Sequence, residues 1–177
     1  GTSGTTSLLY EIAYGDQTFV AVGQTGTIRY SSDNGTTWST GTWSGSDHLT
    51  GVAYGNNTFI GVASENVIKS TDNGLNWTLK GAGVKVVDVA FGNSHFVGCG
   101  AKGAIFTSDD NGASWSTGES GTTTFDFNGI TFGNNRFISV GSSGKLIIST
   151  DNGSNFNDKS SNVSSSLNSI TFGTVGS

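Results

Sequence analysis

The sequence is short of several residue types, and each shortage excludes a class of structure or function. It has no proline, no methionine at any position, and a single cysteine among 177 residues. Cys99 has no partner for an internal disulfide, and it stands where related segments of the chain carry valine, so we expect a buried thiol. Because residue 1 is not methionine, we expect a processed chain, a fragment, or part of a longer protein.

Basic residues and long apolar runs are also scarce. Eight Lys and Arg against 13 Asp and Glu give a net charge of -5, with no run of one sign. Phosphate binding requires a basic stripe, so we expect no nucleic-acid partner. No segment approaches the ~20 continuous apolar residues of a transmembrane helix, and the N-terminus lacks a basic-then-apolar signal pattern. We therefore expect no membrane insertion.

Glycine, by contrast, is abundant, and it recurs with a period. An aromatic residue followed by glycine repeats at intervals of about 40 residues, a length typical of one supersecondary unit. The five copies are Tyr14-Gly15, Tyr54-Gly55, Phe91-Gly92, Phe132-Gly133 and Phe172-Gly173. Between them, short alternating apolar runs are separated by Gly, Asn and Asp, which predicts strands joined by tight hairpins.

A second motif, Ser-x-Asp-Asn-Gly-x-x-aromatic, occurs four times in phase with the first. An Asp can accept from the amides that follow it, Gly supplies positive φ, and the aromatic ring can fold back over the turn. We therefore interpret the motif as a structural corner without a catalytic or metal-binding role, since the further oxygen ligands of a calcium loop are absent. Its structural residues are Asp33, Gly35, Trp38, Asp72, Gly74, Trp77, Asp110, Gly112, Trp115, Asp151, Gly153 and Phe156.

This motif resembles the Asp-box, or BNR, repeat of sialidases, xyloglucanases, sortilin-type receptors and photosystem II assembly factors. The resemblance covers residues 8–173 and implies an all-β, single-domain β-propeller built from four-stranded antiparallel blades. The predicted blades span about residues 8–42, 48–80, 85–118 and 125–158, followed by one extra strand at 165–173. The proteins in which such repeats occur, together with the Ser, Thr, Gly and Asn content, favour an extracellular or secreted protein.

The extra strand bears on closure of the ring. Four blades and a fifth inner strand suggest an assembly that is open or is completed by another copy. We therefore expect a homo-oligomer that forms by strand sharing, in which residues 165–173 pair with a second chain.

Candidate binding residues lie in the loops that vary between repeats. In propellers these loops share one face, which usually carries the binding site. The candidates there are Trp43, Asp47, His48, Glu65 and Lys102. Trp43 has no aromatic counterpart in the other repeats, and both surface binding and local packing remain open for it.

Two acidic residues occupy equivalent places in different repeats. Glu11 and Asp88 each stand three residues before the repeat aromatic, near the central channel of a closed ring. Such a pair could serve glycoside hydrolysis as acid and base, or could simply line a wet channel. Sialidase activity is not expected, because the chain has only two arginines and lacks the proline of the Arg-Ile-Pro motif.

The leading functional hypothesis is a non-catalytic scaffold or recognition module for a protein, a glycan or further copies of itself. One alternative is a fragment of a propeller glycoside hydrolase that uses Glu11 and Asp88. The other is a carbohydrate-binding lectin. We expect no cofactor and no metal site.

Overall fold

The computed structural model describes residues 2–63, 65–83 and 85–173. Its strands form four antiparallel sheets of four, each in simple sequential order. The first sheet contains β1 (Leu9–Gly15), β2 (Thr18–Gly23), β3 (Ile28–Ser31) and β4 (Ser39–Thr40), and the second β5 (Leu49–Gly55), β6 (Thr58–Ala63), β7 (Asn66–Ser70) and β8 (Thr78–Ala82). The third contains β9 (Asp88–Gly92), β10 (His95–Cys99), β11 (Ile105–Ser108) and β12 (Ser116–Thr117), and the fourth β13 (Phe127–Gly133), β14 (Arg136–Gly141), β15 (Leu146–Ser149) and β16 (Asn157–Lys159).

Among the described residues, helical structure is confined to three single turns, at residues 24–26, 101–103 and 142–144. Across the described ranges, no helix has the length and apolar character needed to cross a membrane.

The first hairpin of each sheet turns on two residues in the left-handed region. Asn56 and Asn57 have φ of 45° and 55°, and Asn134 and Asn135 have 48° and 57°. Two consecutive positive φ values are characteristic of the type I′ turn, whose twist matches that of the flanking strands. The Asn-rich links seen in the sequence therefore fix the register of the two inner strands.

The sheets are arranged as consecutive blades around an axis. Their innermost strands β1, β5, β9 and β13 contact one another in that order, and each sheet runs outward from its innermost strand. Within the described residues the series does not close on itself, so the ring is open. The predicted fold class, an all-β propeller of four-stranded antiparallel blades, is confirmed.

The repeated aromatic–glycine pair joins each blade to the next. The rings of Tyr54, Phe91 and Phe132 lie directly on Gly15, Gly55 and Gly92 of the preceding blades, where a Cβ would overlap the ring. Each ring also packs on the aromatic of the following strand in its own blade, with centroids 4.6–4.7 Å apart. Glycine is thus required because a ring from the neighbouring blade fills the space of its side chain.

The segment predicted as an extra strand lies against the inner strand of blade four. Phe172 covers Gly133 as the other rings cover their glycines, and the Leu167 amide donates to the Gly141 carbonyl at 2.9 Å. Residues 165–173 belong to no β-ladder among the described residues of this single chain, and their pairing with a second copy stays a prediction.

Gly55 and Gly173 test the ring-on-glycine contact at matched positions of the repeat. Gly55→Ala is expected to lower the free energy of unfolding by roughly 1–3 kcal/mol, because the new methyl group overlaps the Phe91 ring. Gly173→Ala meets nothing within 4 Å and should change it by less than about 0.5 kcal/mol. Urea denaturation of both variants provides the measurement, and equal losses would contradict this account of the glycines.

Candidate functional site

The four turns of the Ser-x-Asp-Asn-Gly motif, called Asp-boxes below for their resemblance to that repeat, use their carboxylates internally. In the first turn the Asp33 carboxylate accepts from the Thr37 amide at 2.9 Å and from the Ser31 hydroxyl at 2.7 Å, and Gly35 has φ of 80°. The hydroxyl of Thr37 and then its amide lower the pKa of Asp33 to about 2. The same acceptor geometry recurs at Asp72, Asp110 and Asp151. These carboxylates are committed to their own turns.

The serine that opens each motif has a structural role that was not predicted from the sequence. The Ser31 hydroxyl donates to Asp33 and accepts from the Gly35 amide at 2.9 Å, so one buried group joins both sides of the corner. The invariant Ser-x-Asp spacing within the chain was the signal for it. The equivalent residues Ser70, Ser108 and Ser149 are also buried and make the same pair of hydrogen bonds.

The motif aromatics pack over their turns. The indole N–H groups of Trp38 and Trp77 donate to the carbonyls of Gly35 and Gly74 at 3.1 and 2.9 Å. Trp115 occupies the equivalent place, and its buried indole N–H has no hydrogen-bond partner among the described residues. Phe156, which has no such donor, is 6% exposed. The four aromatics therefore do not form a stacking row for a sugar.

The Asp-boxes also dock consecutive blades. The Asn73 amide donates to the Asp16 carboxylate at 3.0 Å, and Gly74 abuts Val20, so the second box rests on the first blade. The boxes of blades three and four make the matching contacts, which are Asn56 to Asn111, Asn93 to Asn152, Gly112 against Ile60 and Gly153 against Val97. The first box differs, since a Cβ on Gly35 would meet only Trp38 of its own turn.

His48 and Asp126 hold the turns of the preceding blades. The Thr25 amide donates to His48 Nδ1 at 2.9 Å, and the Lys102 amide donates to the Asp126 carboxylate at 2.8 Å. Thr25 and Lys102 are both left-handed, with φ of 55°, so each N–H points out of its turn toward the next blade. A common local geometry explains why a histidine and an aspartate stand at equivalent sites.

The other loop candidates do not converge on one site. Trp43 is half-buried against the core that contains Ile28 and Leu49, and its ring lies against Gly45, which is consistent with local packing. The Asp47 carboxylate accepts from Asn66 and shares a surface hollow of about 380 Å³ with His48. Glu65 is exposed on a separate loop, and Lys102 lines a different hollow, of about 350 Å³.

Glu11 and Asp88, in contrast, are brought into direct hydrogen-bond contact near the axis. Each carboxylate also reaches the inner strand of the next blade. Glu11 Oε2 accepts from the Val52 amide at 2.8 Å, and Asp88 Oδ2 accepts from the Ile130 amide at 2.8 Å. Two acids from alternate blades thus tie four inner strands together.

The pair holds a proton at neutral pH. Burial, followed by the charge of Asp88, raises the pKa of Glu11 from its ordinary value of 4.5 to about 8. Burial likewise raises the pKa of Asp88, while hydrogen bonds from the Ile130 and Val89 amides, and then from Glu11, partly offset the rise. A protonated Glu11 can donate to Asp88, which avoids the repulsion of two buried negative charges.

The single cysteine is also enclosed. Cys99 is fully buried, and burial raises the pKa of its thiol well above the ordinary value, so the thiolate is disfavoured. In the part of the chain that the structure describes, no three His, Cys, Asp or Glu residues are grouped so that they could hold a metal ion.

The fold is shared with solved propellers at low sequence identity. A structure of YCF48 bound to a D1 peptide matches with a TM-score of 0.74 and 18% identity, covering 96% of this chain and 58% of that one. YCF48 from Cyanidioschyzon merolae matches with a TM-score of 0.72 and 18% identity, covering 96% and 61%. An ancestral GH74 enzyme matches with a TM-score of 0.72 and 18% identity, covering 88% and 24%.

The chain therefore spans less than two thirds of each of these proteins. No protein-family model and no curated protein matches it. At 18% identity the likeness establishes the β-propeller fold alone.

The carboxyl pair gives the protein a pH-dependent stability. The pKa of Glu11 is higher in the folded than in the unfolded chain, so its stabilising contribution is complete below about pH 4.5 and is lost as the pH rises through 8. We expect the free energy of unfolding to fall over this range in the wild-type chain. Glu11→Gln should remove most of that slope, because an amide can still donate to Asp88 without ionising.

Urea denaturation at a series of pH values measures the slope. Glu65→Gln, which removes an exposed loop carboxylate, is the control and should keep the wild-type slope. An unchanged slope in Glu11→Gln would show that the pair does not share a proton.

Proposed function

We propose that this chain is a non-catalytic, self-assembling scaffold whose first blade docks on the fourth blade of another copy. The observation that carries the proposal is the exposure of β1. Ile12 is 53% exposed, whereas the residues at the same place in β5, β9 and β13, which are Val52, Val89 and Ile130, are 4–5% exposed. A position that is buried between blades in three repeats is open to solvent in the first.

The exposed surface extends beyond one residue. We define the blade-1 face as Leu9, Tyr10, Ile12 and Tyr14 of β1 together with Gly35 of the first Asp-box. The first four are 37–55% exposed, and a hollow of about 280 Å³ lined by Leu9, Ile12 and Trp38 opens beside them. Contiguous apolar residues of this kind mark interaction surfaces on soluble proteins.

The matching half of a blade–blade interface is only partly covered in blade four. Val20, Ile60 and Val97 are fully buried under the Asp-box glycine of the next blade, but the equivalent Ile138 of blade four is only partly buried. Asn134, the counterpart of Asn56 and Asn93, is exposed and makes no side-chain hydrogen bond within the described residues.

Two complementary halves at opposite ends favour head-to-tail association of identical chains. Tyr14 of one copy would lie on Gly133 of the next copy, as Tyr54 lies on Gly15 within the chain. Asn34 and Gly35 would contact Asn134 and Ile138 respectively. Such a heterologous contact builds a ring where the rotation closes and a filament where it does not.

The site geometry favours this reading over the two alternatives. Paired glycosidase carboxyls stand about 5–9.5 Å apart with the sugar between them, whereas Glu11 and Asp88 touch and cap backbone amides. The aromatic rings that a lectin would offer pack on their own turns. Among the structural neighbours, the YCF48 structure holds a D1 peptide, which is consistent with a protein partner for this fold.

Association through the blade-1 face predicts a selective loss in Ile12→Ser. The wild-type chain is expected to rise in mass with concentration, and Ile12→Ser should weaken this association by roughly tenfold or more, because a central apolar contact is lost. Leu79→Ser is the matched control, since Leu79 is 54% exposed on β8, away from the face. Sedimentation velocity over a concentration series measures the effect, and equal association in both variants would overturn the proposal.

The non-catalytic assignment has its own test. A panel of aryl glycosides should show no turnover above that of buffer, because Glu11 and Asp88 are occupied by backbone amides and by each other. Turnover that disappears in Glu11→Gln would instead identify a hydrolase.

A further inference from the structure

We propose that residues 165–173 form an internal cap on blade four, which the β1 strand of an incoming copy displaces. This inference rests on the proposed self-assembly and concerns its regulation. We define the docking seat as Gly129, Gly133 and Gly141 of blade four, the residues that the cap touches.

The cap fills the docking seat in the way that a following blade would. Phe172 lies on Gly133 in the same relation as Tyr54 on Gly15, Phe91 on Gly55 and Phe132 on Gly92. In the repeat, Phe172 is the counterpart of Tyr14. One glycine surface cannot hold both rings, so the cap and an incoming β1 compete for it.

The backbone of the cap repeats the same interface. The Leu167 amide donates to the Gly141 carbonyl at 2.9 Å, just as the Phe127 amide donates to the Gly100 carbonyl at 3.0 Å between blades three and four. A Cβ on Gly129 would lie 3.2 Å from the Cα of Ser169, as one on Gly51 would lie 2.9 Å from the Cα of Asp88.

The cap is nevertheless an incomplete substitute. It contributes a single segment that forms no β-ladder within the described residues, and Phe172 remains 41% exposed. It also leaves Ile138 partly uncovered, whereas an incoming blade would bring an Asp-box to that position. A second copy therefore offers more contact area than the cap does.

The alternation of inner-strand residues points the same way. The position three before each aromatic reads Glu11, Gly51, Asp88 and Gly129, acid and glycine in turn, and each acid packs beside a glycine strand. The cap places Ser169 where this alternation requires an acid. A second copy would place Glu11 there and continue the pattern.

What favours the cap is its attachment to the chain. Residues 160–164 join it to β16, which ends at Lys159, so its local concentration at the docking seat is on the order of millimolar. A free copy must therefore bind the docking seat more favourably than the tethered cap does. The cap therefore sets the concentration at which assembly begins.

The test compares self-association of the full chain with that of two cap variants. Phe172→Ser removes the ring from Gly133, and deletion of residues 165–177 removes the cap entirely. Both are expected to tighten association by roughly tenfold or more in sedimentation velocity, because the competing segment is weakened or lost. Val163→Ser, at a 50% exposed residue outside the cap, should match wild type.

A double variant separates specific assembly from aggregation of a damaged blade. Ile12→Ser added to Phe172→Ser should abolish the gained association, and thermal unfolding should show that Phe172→Ser remains folded. Association that survives Ile12→Ser would mean that the gain does not use the blade-1 face, which overturns the inference.

The remaining outcomes distinguish the two proposals. Weaker or unchanged association in a folded Phe172→Ser, with Ile12→Ser still disruptive, would show that the segment is part of the interface or indifferent to it. The cap would then be rejected and the scaffold kept. A chain that stays monomeric in every form, capped or not, would reject the scaffold as well.

Discussion

The contact on which this structure depends is an aromatic ring from one blade resting on a glycine of the blade before it. The ring fills the volume in which a side chain would lie, so consecutive inner strands approach closely enough to share hydrogen bonds across the axis. The Asp-box repeats the principle at the outer edge, where Gly74, Gly112 and Gly153 accept the apolar side chains of the preceding blade. Two glycine contacts at each blade–blade interface thus set the angle and spacing of the stack.

Close stacking also determines what happens to the polar groups near the axis. Inner strands that are pressed together leave amides of the next blade facing inward, and Glu11 and Asp88 accept from two of them. Burying two ionised carboxylates side by side would be unfavourable, and a proton retained on Glu11 avoids this. Glu11 and Asp88 resemble a catalytic pair in the sequence, but the need of buried backbone amides for acceptors accounts for their positions.

An interface that repeats identically along a chain has an unsatisfied half at each end. Among the described residues the first half is the apolar row of β1, and the last is the surface of blade four, over which residues 165–173 lie. Repeat architectures generally manage such ends by capping them or by pairing them with another molecule. The two possibilities use the same contacts here, which makes them mutually exclusive at blade four and couples folding of the end to association.

The sequence alone determined the architecture, because the period, the Asn-rich hairpins and the Asp-box are local signals whose physics is complete within a few residues. It predicted turns at Asp33 and its counterparts, and each of these carboxylates accepts an amide hydrogen bond from its own turn. The tertiary structure decided what depends on neighbouring blades. It brought Glu11 and Asp88 together and placed His48 against the Thr25 amide of the preceding blade. Both outcomes depend on contacts between residues more than 20 positions apart in the chain, and no local pattern encodes them.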